Sequence, residues 1–226
     1  MKNSVEAAKE LHQSRSDFGA KSDYSKPDSM KYNLFISESI QEINKKNKYI
    51  SSILDYGTGQ GGLLDRLRST LNHEIEIEGY DPAIEKYSAK PTGEFDLVTS
   101  IDVLEHIPIQ EINTCFAHIK SVTNKFFFFA IDLVPASKKL ADNRNAHLLV
   151  APSDWWAQKL KEHFRTIYIT EVGHLPNGDP CPSHLFGCAT NKPQNAVLMS
   201  SFLNNINLVW KRWTWNGKGG CDLSNY

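Results

Sequence analysis

The chain has 226 residues, of which 40% are hydrophobic and 23% are charged, and its formal net charge is −1. This length suits one α/β domain with a modest extension, which buries a sheet core without needing disulfides. The near-neutral balance lacks the large basic surface typical of polyanion-binding proteins, so a nucleic acid is not the expected partner.

The cysteine spacing and the length of the apolar runs indicate the cellular compartment of the protein. Four cysteines, at positions 115, 181, 188 and 221, form no Cys-x-x-Cys pair and no spacing typical of a disulfide framework. The first residues, MKNSVEAAKELHQ, contain no apolar signal segment. No apolar run approaches the roughly 20 residues that span a bilayer. We therefore expect a reducing, cytoplasmic location and no membrane partner.

The first part of the chain is predicted to be mainly helical. Apolar residues at helical spacing predict a short helix over residues 4–13 and a second helix over residues 30–46. The polar residues 14–29 between them are expected to form a loop. We expect residues 1–46 to act as a helical cap or lid segment.

Strand and helix patterns then alternate along the chain. The predicted strands cover residues 50–56, 74–81, 95–102 and 125–133, and the predicted helices cover 61–71, 108–123 and 152–164. Two further strands, 166–172 and 184–191, are predicted to form a hairpin-like antiparallel edge. This order predicts a Rossmann-like α/β fold over residues 47–191, a mostly parallel sheet with helices on both faces. Residues 192–226 are expected to form a helical, aromatic extension.

A glycine-rich loop, GTGQGG, follows the first predicted strand. Gly57, Gly59 and Gly61 allow sharp turns and a close approach of the backbone to a ligand. Asp81 lies about 20 residues further on, at the end of the next strand, where a carboxylate binds ribose hydroxyls. Both a dinucleotide and S-adenosylmethionine fit this pattern.

Asp55 separates these two cofactors, because it lies two residues before the first glycine of the loop. A carboxylate at that place repels the pyrophosphate of a dinucleotide and attracts the ammonium and sulfonium groups of S-adenosylmethionine. The alternatives are that Asp55 braces the loop through backbone N–H groups and that Asp81 caps a turn before Pro82.

The segments ILDYGTGQGG, IEGYDPAI and FDLVTSIDVLEHI resemble three motifs of the class I S-adenosylmethionine-dependent methyltransferases. The likeness covers about residues 50–133 and is greatest to small-molecule enzymes with a Val-Leu-Glu-His box. It implies that the loop holds the methionine and ribose portions of the cofactor and that Asp81 binds its ribose. It also implies that Tyr24 and Lys26 lie in a lid. The charge argument for Asp55, this resemblance and the sequence after Asp81 together give the expected cofactor-binding residues: Asp55, Gly57, Thr58, Gly59, Gly61, Asp81, Pro82, Ile101 and Asp102.

The chain departs from that family pattern between Asp81 and Phe95. Only the residues PAIEKYSAKPTGE separate them, which is too short for a helix and a strand. The family's third strand, and the adenine-binding acid at its end, are therefore predicted to be missing or reduced. Pro82, Ala83 and Ile84 are expected to give the adenine an apolar platform instead.

Two histidines are the candidates for the acceptor side. His106 follows the third predicted strand, and His147 lies in the polar connection after the fourth, beside Asn143, Arg144 and Asn145. Ligands of open α/β sheets bind at these strand ends. The alternatives are that Glu105 and His106 only begin a helix, and that the residues around His147 form a solvated loop.

Other chemistry-bearing residues have a structural interpretation. Trp155 and Trp156 are expected mainly to anchor their helix, although one of them is a candidate wall of the acceptor pocket. The spacing of His174, Cys181, His184 and Cys188 is not a familiar zinc pattern, so no metal is expected. Basic residues between tryptophans near the C-terminus can stack nucleic-acid bases, but the near-neutral charge favours a helix-docking surface or a homodimer contact.

The sequence thus predicts an S-adenosylmethionine-dependent methyltransferase that acts on an oxygen or nitrogen of a small-molecule or carrier-linked acceptor. Three alternatives remain: an RNA or DNA methyltransferase, an NAD-dependent oxidoreductase, and a non-catalytic accessory protein that binds S-adenosylmethionine.

Overall fold

A six-stranded sheet forms the centre of the computed structural model, which describes residues 4–17, 27–45, 48–174, 180–211, 214–215 and 221–222. The strand order is β2-β1-β3-β4-β6-β5. β1 to β4 are mutually parallel, whereas β6 runs antiparallel to both β4 and β5. The predicted Rossmann-like fold with an antiparallel edge is therefore confirmed. The strands are β1 (Ser52–Tyr56), β2 (Glu76–Tyr80), β3 (Phe95–Ile101), β4 (Thr123–Asp132), β5 (Thr166–His174) and β6 (Pro180–Thr190), with a separate pair, β7 (Thr214–Trp215) and β8 (Cys221–Asp222).

Six α-helices accompany the strands in the described part of the chain: α1 (Ser4–Asp17), α2 (Pro27–Asn44), α3 (Gly62–Thr70), α4 (Ile112–Val122), α5 (Ser153–Lys161) and α6 (Ala196–Lys211). The expected loop over residues 14–29 is wrong at both ends, because α1 continues to Asp17 and α2 begins at Pro27. A proline fits there since the first helical N–H has no partner within the helix. The proposed lid residues Tyr24 and Lys26 lie outside the described residues. None of the helices within the described ranges is long and apolar enough to cross a membrane.

The core has two halves, one on each face of the sheet. Along β4, Phe126 and Phe128 point into one half and Phe127 and Phe129 into the other, as the alternation of a strand requires. This is why the run of four phenylalanines forms a strand buried on both faces. α2, α3 and α6 cover the first face, and α4 and α5, with the fully buried Trp156, cover the second.

Helices α2 and α6, which precede and follow the sheet in sequence, both contribute to its core. Phe35 and Ile36 of α2 and Phe202 of α6 are buried in the same cluster as the residues of β1 and β4. The division into segments 1–46, 47–191 and 192–226 stays a prediction.

The reduced region after β2 is confirmed. Between β2 and β3 the chain forms a short 3₁₀ turn, Glu85–Tyr87, and no strand, in a stretch that is described throughout. The Asp81 N–H donates to the Tyr87 carbonyl at 2.9 Å, which folds this segment back onto the end of β2. β2 is therefore the outermost strand on this side of the sheet.

Candidate functional site

The glycine loop joins β1 to α3 and turns at the end of the neighbouring strand. The Gly57 N–H donates to the Tyr80 carbonyl at 2.7 Å, which ties the loop to β2. Gly57 and Gly61 have φ values of 84° and 85°, in the left-handed region that suits glycine. A Cβ atom on Gly57 would overlap the Val103 side chain, and one on Gly61 would lie 2.5 Å from the Tyr87 hydroxyl. The loop thus forms a cradle that admits no side chain at either position.

Asp81 lies beside this cradle at the end of β2. Its Oδ2 accepts the Gly59 N–H and its Oδ1 accepts the Ala83 N–H, each at 2.9 Å. His12 of α1 places its Nε2 3.7 Å from Oδ2. Burial tends to raise the pKa of Asp81, but the interactions with His12, Ala83 and Gly59 outweigh it and hold the pKa below its usual value. Asp81 is therefore an ionised acceptor at neutral pH.

Asp55 is almost entirely buried near the end of β1, with 3% of its surface exposed. Its Oδ1 accepts a hydrogen bond from the Thr99 hydroxyl at 2.9 Å. Burial raises the pKa of Asp55 to about 6, although hydrogen bonds from Thr58 and Thr99 act in the opposite direction. A buried acid with a raised pKa is characteristic of functional sites, and the predicted role of Asp55 toward the cofactor ammonium stays a prediction.

A cavity of about 590 Å³ opens next to the end of β2, and Gln60 of the glycine loop contributes to its wall. Pro82, Ala83 and Ile84 also line this cavity, together with Lys9 and His12 of α1. The three apolar residues thus border open space where the sequence predicted the adenine platform. Lys9 and His12 were missed, because a polar N-terminal helix gives no signal that it reaches a strand end.

Helix α1 also contacts the connection after β4. Ala7 and Leu11 form a small buried cluster with Leu140 and Ala146, and Glu10 accepts a hydrogen bond from the Ala141 N–H. The same helix therefore borders both the cavity near Asp81 and the loop that carries His147.

Asp102 directly follows β3 and has a φ of 53°, an uncommon conformation for a residue other than glycine. Its N–H donates to the Ala130 carbonyl at 3.0 Å. Tyr32 of α2 donates its hydroxyl proton to the Asp102 carboxylate, with oxygen–oxygen distances of 3.2 and 3.3 Å. Ile101 is half-buried beside it. Asp102 is thus held at the carboxyl end of the sheet by two elements.

The two candidate histidines lie side by side at the carboxyl ends of β3 and β4. The rings of His106 and His147 have centroids 5.0 Å apart and are nearly perpendicular. His106 lies in a 3₁₀ turn, Leu104–His106, and α4 begins only at Ile112. Glu105 and His106 thus lie in a separate short turn before α4, and the chemical role of His106 stays a prediction.

Three residues of this edge were missing from the predicted site. Glu105 is fully buried between the strand ends, and its Oε1 accepts the Asp132 N–H at 3.3 Å. His184 of β6 places its Nε2 2.7 Å from Asp132 Oδ1, and His147 Nε2 lies 3.6 Å from Asp132 Oδ2. The pairing of β4 with β6 places His184 opposite Asp132, a register that no local pattern reveals.

The other polar candidates mainly hold the connection after β4 in place. Asn145 Oδ1 accepts the N–H groups of Ala136 and His147 at 2.9 and 2.8 Å, and Arg144 pairs with Asp142 at 2.7 Å. Cys188 is fully buried in the core. The side chains of two further residues in the rejected zinc pattern, His174 and Cys181, lie outside the described residues.

Fold and site together define a Rossmann-like protein with a glycine-rich cradle at the ends of β1 and β2. A family model described as "Methyltransferase domain" matches residues 30–175, so the chain belongs to this family. It is an S-adenosylmethionine-dependent methyltransferase. The residues fit that cofactor, because the cradle excludes side chains, Asp81 is ionised, and an open cavity adjoins it.

Solved structures share this fold. The plantazolicin methyltransferase BamL, in complex with a triazolic desmethylPZN analog and S-adenosylhomocysteine, is 12% identical, with a TM-score of 0.58 over 83% of this chain and 97% of that one. The DhpI complex with S-adenosylhomocysteine is 13% identical, with a TM-score of 0.52 over 84% and 97%. At these identities the likeness concerns the fold. A search of curated proteins finds no significant sequence match.

Proposed function

We propose that this methyltransferase transfers a methyl group to an oxygen or nitrogen of a small-molecule or carrier-linked acceptor, bound at the carboxyl ends of β3 and β4. The observation that carries the proposal is the pairing of His106 and His147 at this edge. The proposed acceptor site adjoins the glycine loop, because β3 lies next to β1 in the sheet and β4 lies next to β3.

The cofactor supplies a methyl group activated by a positively charged sulfur, so the protein has to align the acceptor and exclude water. In our proposal the loop residues Gly57, Thr58, Gly59 and Gly61 hold the methionine and ribose portions. Asp81 binds the ribose hydroxyls and Asp55 attracts the ammonium. Pro82 with its two apolar neighbours contacts the adenine, and Ile101 and Asp102 line the cofactor and the approach of the acceptor.

His106 and His147 serve the acceptor in this proposal. Each donates its Nδ1 proton to a backbone carbonyl: His106 to Ala146 at 2.8 Å and His147 to Val134 at 2.6 Å. In the neutral ring the lone pair is then on Nε2. Such a nitrogen accepts the proton that a hydroxyl or amine acceptor must lose, or it coordinates a cation.

The small-molecule preference rests on chemistry and analogy. The near-neutral charge of the chain argues against a polyanionic acceptor, and the BamL structure contains a desmethylPZN analog. The resemblance to enzymes with a Val-Leu-Glu-His box points the same way. A cytoplasmic location and a homodimer also remain proposals, the former from the cysteine spacing and the latter from the aromatic C-terminal residues.

The test has two stages. Calorimetric titration with S-adenosylhomocysteine and with NAD is expected to show binding of the first alone. Transfer of a labelled methyl group into fractionated metabolite pools is then expected to mark a small molecule. Exclusive binding of NAD would refute the methyltransferase assignment, and salt-sensitive labelling of RNA or DNA only would replace the acceptor class. Cofactor binding without label in any pool would favour the accessory-protein alternative.

A further inference from the structure

A second chemical feature lies at the edge where β3 and β4 end. Glu105, His106 and His147 each offer one potential ligand atom, and these atoms lie within 4.8 Å of one another. At a metal–ligand distance of about 2.1 Å, neighbouring ligands of an octahedral or tetrahedral divalent cation are about 3.0–3.4 Å apart. Movements of the side-chain tips on the order of 1 Å therefore bring the three atoms onto one ion.

Both histidines have the orientation of metal ligands. The Nδ1 hydrogen bonds to the carbonyls of Ala146 and Val134 fix the ring planes and the tautomer. A histidine that binds a metal through one nitrogen almost always donates its other N–H in this way, frequently to a backbone carbonyl. Two neighbouring loops thus supply independent supports for two imidazoles.

Glu105 provides an independent observation that points to a ligand. Its side chain is fully buried, and its Oε2 has no hydrogen-bond partner among the described residues. A buried carboxyl oxygen that receives no hydrogen bond is costly at such a place. Glu105 also belongs to a cluster with Asp102 and Asp132, whose carboxylate oxygens lie within 4.8 Å of one another. A cation would neutralise this concentration of acids.

The geometry points to a divalent-cation site formed by Glu105, His106 and His147, with Asp102 and Asp132 beside it. Two imidazoles and one carboxylate favour a first-row transition ion such as Mn²⁺, Co²⁺ or Zn²⁺ over Mg²⁺, which prefers oxygen ligands. His184 positions Asp132 through its contact of 2.7 Å. Three protein ligands leave coordination positions for water or an acceptor atom.

These open positions define an acceptor class, a consequence that rests on the proposed methyl transfer. The acceptor carries a hydroxyl that coordinates the cation, which lowers the hydroxyl pKa so that its proton passes to solvent. The oxygen then bonds to the methyl carbon while the carbon–sulfur bond breaks, and its electron pair stays on the sulfur of neutral S-adenosylhomocysteine. His106 and His147 act here as ligands, not as bases.

The test uses the full chain, stripped with a chelator, and Mn²⁺ and Co²⁺ as probes. Calorimetry is expected to give one Mn²⁺ per chain, and bound Co²⁺ to show visible absorption bands of imidazole coordination. Glu105→Gln and, separately, His147→Gln are expected to weaken Mn²⁺ binding at least tenfold. His163→Gln, which changes a histidine packed against Phe116 in the second core half, serves as the matched control and is expected to bind like the wild type.

Each variant is also titrated with S-adenosylhomocysteine in chelator, which reports folding and the cradle independently of the cation. Retained nucleoside binding with weakened Mn²⁺ binding supports the site. Absence of stoichiometric Mn²⁺ or Co²⁺ binding in the wild type, or unchanged binding in both ligand variants, overturns it. If the wild type does not bind S-adenosylhomocysteine, the proposed methyl transfer is refuted. The cation site is not affected by that result, because cation binding is measured in the absence of S-adenosylhomocysteine.

Discussion

His12 of the N-terminal helix approaches Asp81 at the end of β2, with 3.7 Å between Nε2 and Oδ2. The Asp81 carboxylate accepts the N–H groups of Gly59 and Ala83. It is thus also contacted by His12, which is distant in sequence. The proposed cofactor site is therefore bordered by α1 as well as by the sheet.

Replacement of Asp81 tests the cofactor site. Asp81→Ala removes the acceptor of two backbone N–H groups and any bonds to ribose. We expect S-adenosylhomocysteine binding to weaken by at least about 1–2 kcal/mol, the scale of hydrogen bonds to a charged group. Calorimetry provides the measurement, and Asp65→Ala, an exposed acid on α3, is the control. Unchanged affinity would remove Asp81 from the site.

Ionised Asp55 is expected to strengthen cofactor binding and to lower the folding stability of the protein. Its pKa in the folded protein, about 6, exceeds the unfolded value of about 3.9. The folded state therefore retains the proton more strongly, and the stability this gives is present below about pH 4 and is lost as the pH rises through 6. Asp55→Asn avoids this loss and still accepts the Thr99 hydroxyl.

We accordingly expect Asp55→Asn to be more stable than the wild type at pH 8, by up to about 3 kcal/mol, and to lose most of this advantage at pH 4. Urea denaturation at the two pH values measures the difference. The same variant should bind S-adenosylhomocysteine more weakly at pH 8. A variant that is less stable at pH 8 would show that Asp55 is held by stronger partners than Thr99.

His147 is assigned to the acceptor side. His147→Ala should leave S-adenosylhomocysteine affinity unchanged and lower methyl transfer by about 100-fold or more, whether the imidazole takes a proton or binds a cation. His163→Ala is the control and should retain full transfer. If His147→Ala instead weakened nucleoside binding, the histidine would belong to the cofactor side.

Gly61 tests the shape of the cradle. Gly61→Ala places a methyl group 2.5 Å from the Tyr87 hydroxyl at a φ of 85°, so we expect a loss of about 1–3 kcal/mol in stability and weaker cofactor binding. Adding Tyr87→Phe removes the hydroxyl and should restore part of both. Thermal melts and calorimetry of the single and double variants measure the two effects. The absence of any rescue would place the whole effect in the backbone.

Asp96 is a buried acid away from the site. It accepts bonds from Ser51 and Asn124 and pairs with Lys125 at 2.9 Å. Asp96→Ala leaves these groups without their acceptor, and we expect a loss of about 3 kcal/mol in stability with unchanged S-adenosylhomocysteine affinity. Thermal melts and calorimetry again provide the measurements. A large loss of affinity would mean that the two ends of the sheet are coupled.

The sequence was most informative where one local pattern determines both structure and chemistry. The loop with Gly57 and Gly61, the strand of four phenylalanines and the shortened stretch after Asp81 all follow from spacing and periodicity. Glu105 did not stand out, because its burial depends on the connection after β4 folding over it. The contacts of His12 and His184 join residues far apart in sequence, and such contacts leave no trace in one chain.

The missing strand after Asp81 has a consequence for solubility. It makes β2 an edge strand of the sheet, and edge strands are prone to pair with a strand of another molecule. Glu76 and Glu78 are exposed on this strand, and charges on an edge strand discourage such pairing. The two glutamates thus disfavour aggregation along this edge strand.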